Sequence, residues 1–153
     1  MDPYLLIEFQ SLLVIRRVGP SSRDTFAEML ERARQFCASS VRPISYVYDG
    51  GPSAEGHVDA ASRQYAAKWV SENEALLRAR CKGMDFAISN PISRGALTAV
   101  LWLRSPPVDV KVHADLLAAT KAGIERLSLN LDPAQVVREV EAQIARRSPQ
   151  ARA

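Results

Sequence analysis

The residues with the widest chemical possibilities lie in a polar loop between Asp49 and Asp59. The loop also carries Ser53, Glu55 and His57, so that a hydroxyl, an imidazole and several carboxylates occur in one short segment. In nucleophilic catalysis a base activates such a hydroxyl and an acid orients the base. Proximity in one loop does not create that geometry, and no Gly-x-Ser-x-Gly nucleophile elbow is present. We therefore interpret the segment as a polar surface loop without catalytic residues, with a hydrolase that uses it as an alternative.

A second candidate site is the predicted helix start at Asn90. The Asn90 side chain can cap the free N–H groups, and Pro91 sits where its missing N–H costs nothing. Free amide groups at a helix N-terminus attract anions, and a nearby arginine adds positive charge. A carboxylate or phosphate site would consist of Ser89, Asn90, Ser93 and Arg94. The competing interpretation is an ordinary capped helix without a ligand.

The sequence offers little support for a metal-binding or nucleotide-binding site. The two histidines and two cysteines (His57, His113, Cys37 and Cys81) are too far apart to suggest a zinc site. The glycine patterns of dinucleotide-binding and P-loop proteins are absent. We expect no metal and no cofactor. Cys37 and Cys81 are predicted to be buried reduced thiols, and His113 is predicted to be solvated.

The charge pattern argues against nucleic-acid binding. The net charge is only +3, and the 20 basic residues are scattered among 17 acidic ones. A nucleic-acid surface needs a basic stripe or cluster with interleaved aromatic residues. No apolar run reaches membrane-spanning length, and the N-terminus MDPYLLIEF lacks the features of a signal peptide. We expect no membrane insertion and a cytoplasmic location.

Strands and helices alternate along most of the chain. Short apolar runs bounded by turn residues predict five strands: Leu5–Phe9, Leu12–Val18, Ile44–Tyr48, Met84–Ser89 and Val108–Val112. Apolar residues three and four positions apart predict five helices: one after Ser21 or Ser22, then one from about Asp59 to Arg80, Pro91–Arg104, one after Asp115, and Pro133–Arg146. This order indicates an α/β fold with a small mixed, mostly parallel sheet.

Two local patterns add detail to this scheme. Residues Leu12–Ile15 are apolar without alternation, which predicts a strand covered on both faces. Gly83 is placed to end the long helix that begins near Asp59.

The helix Pro91–Arg104 has apolar residues on two sides. On a helical wheel one face is formed by Ile92, Ala96, Ala99 and Leu103, which predicts that this face docks on the sheet. The opposite side is a predicted binding patch for a second copy or a regulatory partner, and it consists of Arg94, Leu97, Thr98 and Leu101. The alternative is that the terminal helix or a loop covers these side chains.

The order and lengths of these elements resemble the SpoIIAA-like or STAS fold over residues 4–127. The stretch LLVIRRVG looks like the second strand of that fold, ISYVYDG like its central strand, and DFAISN and VDVKVH like its last two strands. The resemblance implies a non-enzymatic protein that binds partner proteins in bacterial signalling. Some members are switched by phosphorylation of a serine at the start of the helix after the central strand.

This chain departs from the family at the phosphorylation turn. The family's Asp-Ser-Ser/Thr-Gly type of motif is replaced by DGGPSAEGHVDAAS, in which the serines are Ser53 and Ser62. If the switch exists here, one of these two serines would accept the phosphate near a helix N-terminus.

The sequence thus predicts a SpoIIAA/STAS-like α/β domain over residues 1–128. An amphipathic helix follows over residues 129–147, and a disordered tail over residues 148–153. The expected function is a regulatory or scaffolding module that acts by protein–protein interaction. The alternatives are a small-molecule, lipid or anion-binding domain, or a hydrolase that uses the loop Asp49–Asp59.

Overall fold

The computed structural model describes residues 2–51, 60–103 and 105–148, without the side chains of residues 60 and 100–103. In these ranges it contains five strands: Tyr4–Phe9 (β1), Leu12–Arg17 (β2), Ile44–Asp49 (β3), Cys81–Ala87 (β4) and Asp109–His113 (β5). The helices are Arg23–Ser39 (α1), Ala60–Glu72 (α2), Glu74–Arg80 (α3), Pro91–Leu103 (α4), Leu116–Leu127 (α5) and Pro133–Arg147 (α6).

The strands form one sheet in the order β1-β2-β3-β4-β5. β1 and β2 are antiparallel, and each later neighbour is parallel. The predicted mixed, mostly parallel sheet is therefore confirmed. The three crossovers from β2 to β5 all advance in the same direction, so that right-handed connections place α1 to α4 on one face. The other face is left to α5 and α6.

Each face of the sheet has its own apolar core. β2 supplies both, because Leu13 and Ile15 lie in the core under α1 while Leu12 and Val14 lie in the core under α5. All four side chains are buried. The prediction that this strand is covered on both faces is confirmed, and it explains why its sequence does not alternate.

The predicted long helix from Asp59 to Arg80 is wrong in one respect: it is broken at Asn73. The Asn73 amide donates to the Trp69 carbonyl oxygen at 2.8 Å, next to the backbone N–H of Asn73 at 3.0 Å. Asparagine favours such breaks, since its side chain competes for backbone partners. Gly83 does not end the helix either, because β4 has already begun at Cys81.

Helix α6 folds back on its own chain. Asp132 caps its first turn by accepting from the Ala134 N–H at 3.1 Å. Val136 and Val140 are buried in the same core as Leu5 of β1. The helix thus completes the second core, while the proposed division at residue 128 stays a prediction. Of the predicted tail, residues 149–153 lie outside the described part of the chain. No helix in the described ranges is long and apolar enough to cross a membrane.

Two glycines in helix interiors provide a matched test of this packing. A Cβ at Gly123 would lie 2.8 Å from Leu12 Cδ1 and 3.3 Å from Val47 Cγ2, whereas one at Gly95 would meet nothing within 4 Å. We expect Gly123→Ala to destabilise the fold by about 1–3 kcal/mol. Gly95→Ala should stabilise it by roughly 0.5–1 kcal/mol, because alanine is the better helix former. Urea denaturation measures both, and equal effects would contradict the packing of α5 on the sheet.

The contribution of α6 can be tested at Val140, which is fully buried. Val140→Ala removes two buried methyl groups and should lower the free energy of unfolding by about 2 kcal/mol. The same change at Val41, which is 97% exposed, should cost less than about 0.5 kcal/mol. If Val140→Ala were as mild as the control, α6 would be an appendage rather than part of the core.

Candidate functional site

Asn90 caps helix α4 as predicted. Its Oδ1 accepts from the N–H groups of Ile92 at 2.9 Å and Ser93 at 3.3 Å. The Arg94 guanidinium turns back and donates to the Ile88 carbonyl oxygen at 3.1 Å. The cap thus occupies two of the amide groups that an anion would use. Anion binding by Ser89, Asn90, Ser93 and Arg94 stays a prediction.

The orientation of α4 is the reverse of the predicted one. Ile92 is 84% exposed, and Ala96 and Ala99 are exposed as well, whereas Leu97 is partly buried. The prediction is wrong because apolar residues occur on both sides of this helix, so that a helical wheel cannot select the side that faces the sheet. The side chain of Leu101 lies outside the described residues. The partner-binding role assigned to Arg94, Leu97, Thr98 and Leu101 stays a prediction.

The exposed surface of α4 carries no charge among its described side chains. Its exposed residues are Pro91, Ile92, Gly95, Ala96, Thr98 and Ala99. The one charged residue of this helix is Arg94, whose guanidinium is turned inward. By contrast, α1 carries six charged residues in 17 positions. A solvated helix face is normally polar and charged, and depletion of charge is a mark of interface centres.

A groove runs beside this helix along the last strand of the sheet. It has a volume of about 470 Å³ and is lined by Thr98 of α4, Pro106 and the continuous run Val108–His113. The groove therefore follows the whole of β5, which lies at the edge of the sheet.

A buried ion-pair cluster lies on the opposite face of β4 and β5. Asp85 has 0% exposure, and both its oxygens accept from Arg126 Nη2, at 3.0 and 3.1 Å. His113 Nε2 lies 2.8 Å from Asp85 Oδ1, and Arg126 Nη1 is also bonded to Asp109. A Cβ at Gly83 would lie 2.5 Å from the Arg126 guanidinium. Gly83 is therefore needed to make room for this arginine.

The cluster is built to hold charge in place. Burial lowers the pKa of Arg126, but its hydrogen bonds to Asp109 and Asp85 outweigh burial and raise that pKa, so the guanidinium stays charged. A nucleophilic site needs a hydroxyl or thiol within hydrogen-bond reach of its base. Among the described residues, His113 forms its side-chain hydrogen bond with Asp85. The arrangement is that of a structural network.

Sequence reasoning missed this cluster. His113 is not solvated as predicted, because its side chain is only 18% exposed and is hydrogen-bonded to Asp85. The alternation of β5 was recognised, but its polar side is partly covered by α5 rather than open to water. One signal was available. Asp85 stands between Met84 and Phe86 inside a predicted strand, and a carboxylate on a covered face needs a partner.

The loop that begins at Asp49 is described only at its start. Asp49 is 8% exposed; it pairs with Arg16 and accepts from the Gly51 N–H at 2.9 Å. Arg16 Nη1 also reaches Glu141 of α6 at 3.4 Å. Asp49 is thus held by an ion pair and a tight turn, in which Gly51 adopts a φ of 82°. The other members of the hypothetical catalytic set lie outside the described residues: Ser53, Glu55, His57 and Asp59.

The two candidate phosphoacceptor serines differ in what the structure describes. Ser53 lies outside the described residues. Ser62 lies in the first turn of α2 and is 5% exposed. A kinase needs access to the hydroxyl, so that modification of Ser62 would require this turn to move away from the protein. Phosphorylation of either serine stays a prediction.

The cysteines are buried free thiols, as predicted. Burial raises the pKa of Cys37, and it raises the pKa of Cys81 to about 12. Both thiols are therefore protonated and poorly nucleophilic at neutral pH. Within the described ranges, no group of three or more histidine, cysteine or acidic side chains could hold a metal ion.

The ion-pair cluster predicts a distinctive mutational pattern. Arg126→Leu leaves the carboxylate of Asp85 buried without its main partner, and we expect a loss of about 3–5 kcal/mol in the free energy of unfolding. Adding Asp85→Leu should recover part of that loss, because the double variant has no uncompensated buried charge. Chemical denaturation of the two single variants and the double variant measures the coupling.

The matched control is Arg78→Leu. Arg78 pairs with Glu74 on α3, and both side chains are more than half exposed. Its loss should change stability by less than about 0.5 kcal/mol. Strict additivity of the Arg126 and Asp85 substitutions would contradict a coupled buried network.

Comparison with known proteins identifies the fold. No protein-family model and no curated protein matches the chain. It is similar to the crystal structure of an uncharacterized protein from the DUF3478 family with a SpoIIAA-like fold, from Shewanella loihica, with a TM-score of 0.55 and 13% sequence identity. The match covers 81% of this chain and 91% of that one. At this identity the likeness shows the fold alone, and it confirms the resemblance inferred from the order of elements. The chain therefore has a SpoIIAA-like α/β fold.

Proposed function

We propose that the chain is a non-enzymatic regulatory or scaffolding module that acts by binding another protein, in the cytoplasm and in bacterial signalling. The uncharged exposed face of α4, formed by Ile92, Gly95, Ala96 and Ala99, is the observation that carries this proposal. The two free buried thiols suit a reducing compartment. The docking face proposed here lies on the opposite side of α4 from Leu97.

The shape of this face favours a protein over a small molecule. Small ligands bind in concave pockets that enclose most of their surface. The outer side of a helix is convex, and an 84% exposed isoleucine stands on it. Gly95 and Ala99 are one turn apart, and their small size allows a partner helix to approach the backbone of α4 closely.

The energy available at this face is sufficient for a binding hot spot. Fully burying an isoleucine side chain contributes about 1.5–3 kcal/mol. Interfaces derive most of their affinity from a few such anchors surrounded by contacts that exclude water. Ile92 would be the anchor, and its small uncharged neighbours would form the surround without desolvating a charge.

The proposal is tested by placing a charge on the face. Ile92→Glu puts a carboxylate at the second position of α4, where the helix dipole favours it, so that the fold should be retained. We expect the variant to lose its protein partner, with affinity reduced at least about tenfold, because a charge would have to be desolvated in the interface. Val41→Glu is the matched control, since Val41 is 97% exposed and lies between α1 and β3, outside α4.

The measurement is affinity purification from the native source with quantitative mass spectrometry, followed by titration calorimetry with the purified partner. The supporting result is a protein that wild type and Val41→Glu retain and Ile92→Glu loses. Identical recovery by all three chains would reject the α4 face as the docking site.

A further inference from the structure

The two edge strands of the sheet, β1 and β5, differ in the hydrogen-bond partners of their outward backbone groups. At the β1 edge, the Tyr4 N–H donates to Asp2 Oδ1 at 3.0 Å and the Tyr4 carbonyl oxygen accepts from Arg147 Nη1 at 3.3 Å. Side chains thus occupy the outward backbone groups of Tyr4. At the β5 edge, no described residue donates to or accepts from the outward backbone groups of the strand.

The parallel ladder determines which residues of β5 face outward. The Ile88 N–H donates to the His113 carbonyl oxygen at 2.9 Å, so His113 directs its backbone groups at β4. Backbone direction alternates with a period of two. Lys111 and Asp109 therefore also face β4, and the N–H and C=O groups of Val110 and Val112 point away from the sheet. An unpaired edge of this kind is a template for another strand.

The sequence of this edge is complementary to itself. Reading Val108-Asp109-Val110-Lys111-Val112 backwards exchanges aspartate for lysine and leaves the valines in place. In an antiparallel pairing centred on Val110, Asp109 of one copy lies opposite Lys111 of the other, twice. Both charged side chains are more than half exposed, at 52% and 62%. Arg126 holds the Asp109 carboxylate in position at the edge.

The hydrogen-bond geometry agrees with this register. Val110 would face Val110 as a hydrogen-bonded pair, because its backbone groups already point outward. The aspartate and lysine would then form non-hydrogen-bonded pairs, in which side chains approach most closely. A register centred on Lys111 would instead oppose two lysines, and parallel in-register pairing would oppose like charges along the strand.

We propose that two copies of the chain join through β5 in this antiparallel register and form one continuous ten-stranded sheet. The groove of about 470 Å³ along β5 leaves room for the second strand. The two-fold axis through Val110 closes the assembly at two copies, so that it does not grow into fibres. The inference rests on the strand edge and is independent of the docking face on α4.

The test uses the whole 153-residue chain in sedimentation equilibrium over a wide concentration range. We expect a concentration-dependent dimer for the wild type. Lys111→Glu and Asp109→Lys should each weaken self-association about tenfold, since both turn two attractive pairs into repulsive ones. An equimolar mixture of these two variants should recover the dimer, because all charges on one edge are then negative and all on the other positive. Lys121→Glu makes the same charge change on an exposed position of α5 and should have no effect.

A backbone variant tests the pairing itself. Val110→Pro removes an N–H that points away from β4, so that the internal ladder is kept while the dimer is lost. Circular dichroism confirms that each variant is folded. Ile92→Glu should leave the dimer intact, which separates this inference from docking at α4. A monomeric wild type at every concentration would overturn the proposal, as would a dimer that Val110→Pro leaves unchanged or a variant mixture that fails to recover it.

Discussion

A carboxylate sealed from water is the constraint on which the C-terminal half of this structure depends. Asp85 is fully buried. A buried carboxylate is tolerated only when partner groups compensate for the loss of water. Arg126 comes to it from the last turn of α5 and His113 from the end of β5. One buried charge thus fixes how α5 lies on the sheet and which way β5 is turned. It also requires Gly83 beneath the guanidinium, since a larger residue would occupy the same space.

The two edges of the sheet, at β1 and at β5, differ in the elements that lie beside them. At the β1 end, α6 packs in the same core as Leu5, and Asp2 and Arg147 occupy the outward backbone groups of Tyr4. At the β5 end the charged network lies on one face, and on the other face α4 presents an uncharged surface. The free strand edge lies between them. Both surfaces to which we assign binding therefore lie at the β5 end of the sheet.

Most of the architecture could be predicted from the sequence, whereas the buried polar contacts could not. The uninterrupted apolar run of β2, the cap at Asn90 and the helix that follows Asp115 were predicted correctly, because each depends on neighbours in the chain. The orientation of α4 and the burial of His113 were predicted wrongly, because each depends on residues distant in sequence. Asn73 broke a helix whose apolar spacing continued past it. Local rules thus predicted most of the elements, while the choice of the side facing inward required knowledge of the partner.

The second core also affects when the chain can complete its folding during synthesis. It joins Leu5 and Ile7 of β1 with Val136 and Val140 of α6, which are far apart in sequence. A nascent chain emerges from the ribosome in sequence order, so α6 cannot cover this face of β1 until the residues up to Val140 have been synthesised. Contacts this distant in sequence also close slowly. A chain that stalls or terminates before α6 would present that apolar face as a substrate for chaperones and proteases, whereas a chain that contains α6 covers it.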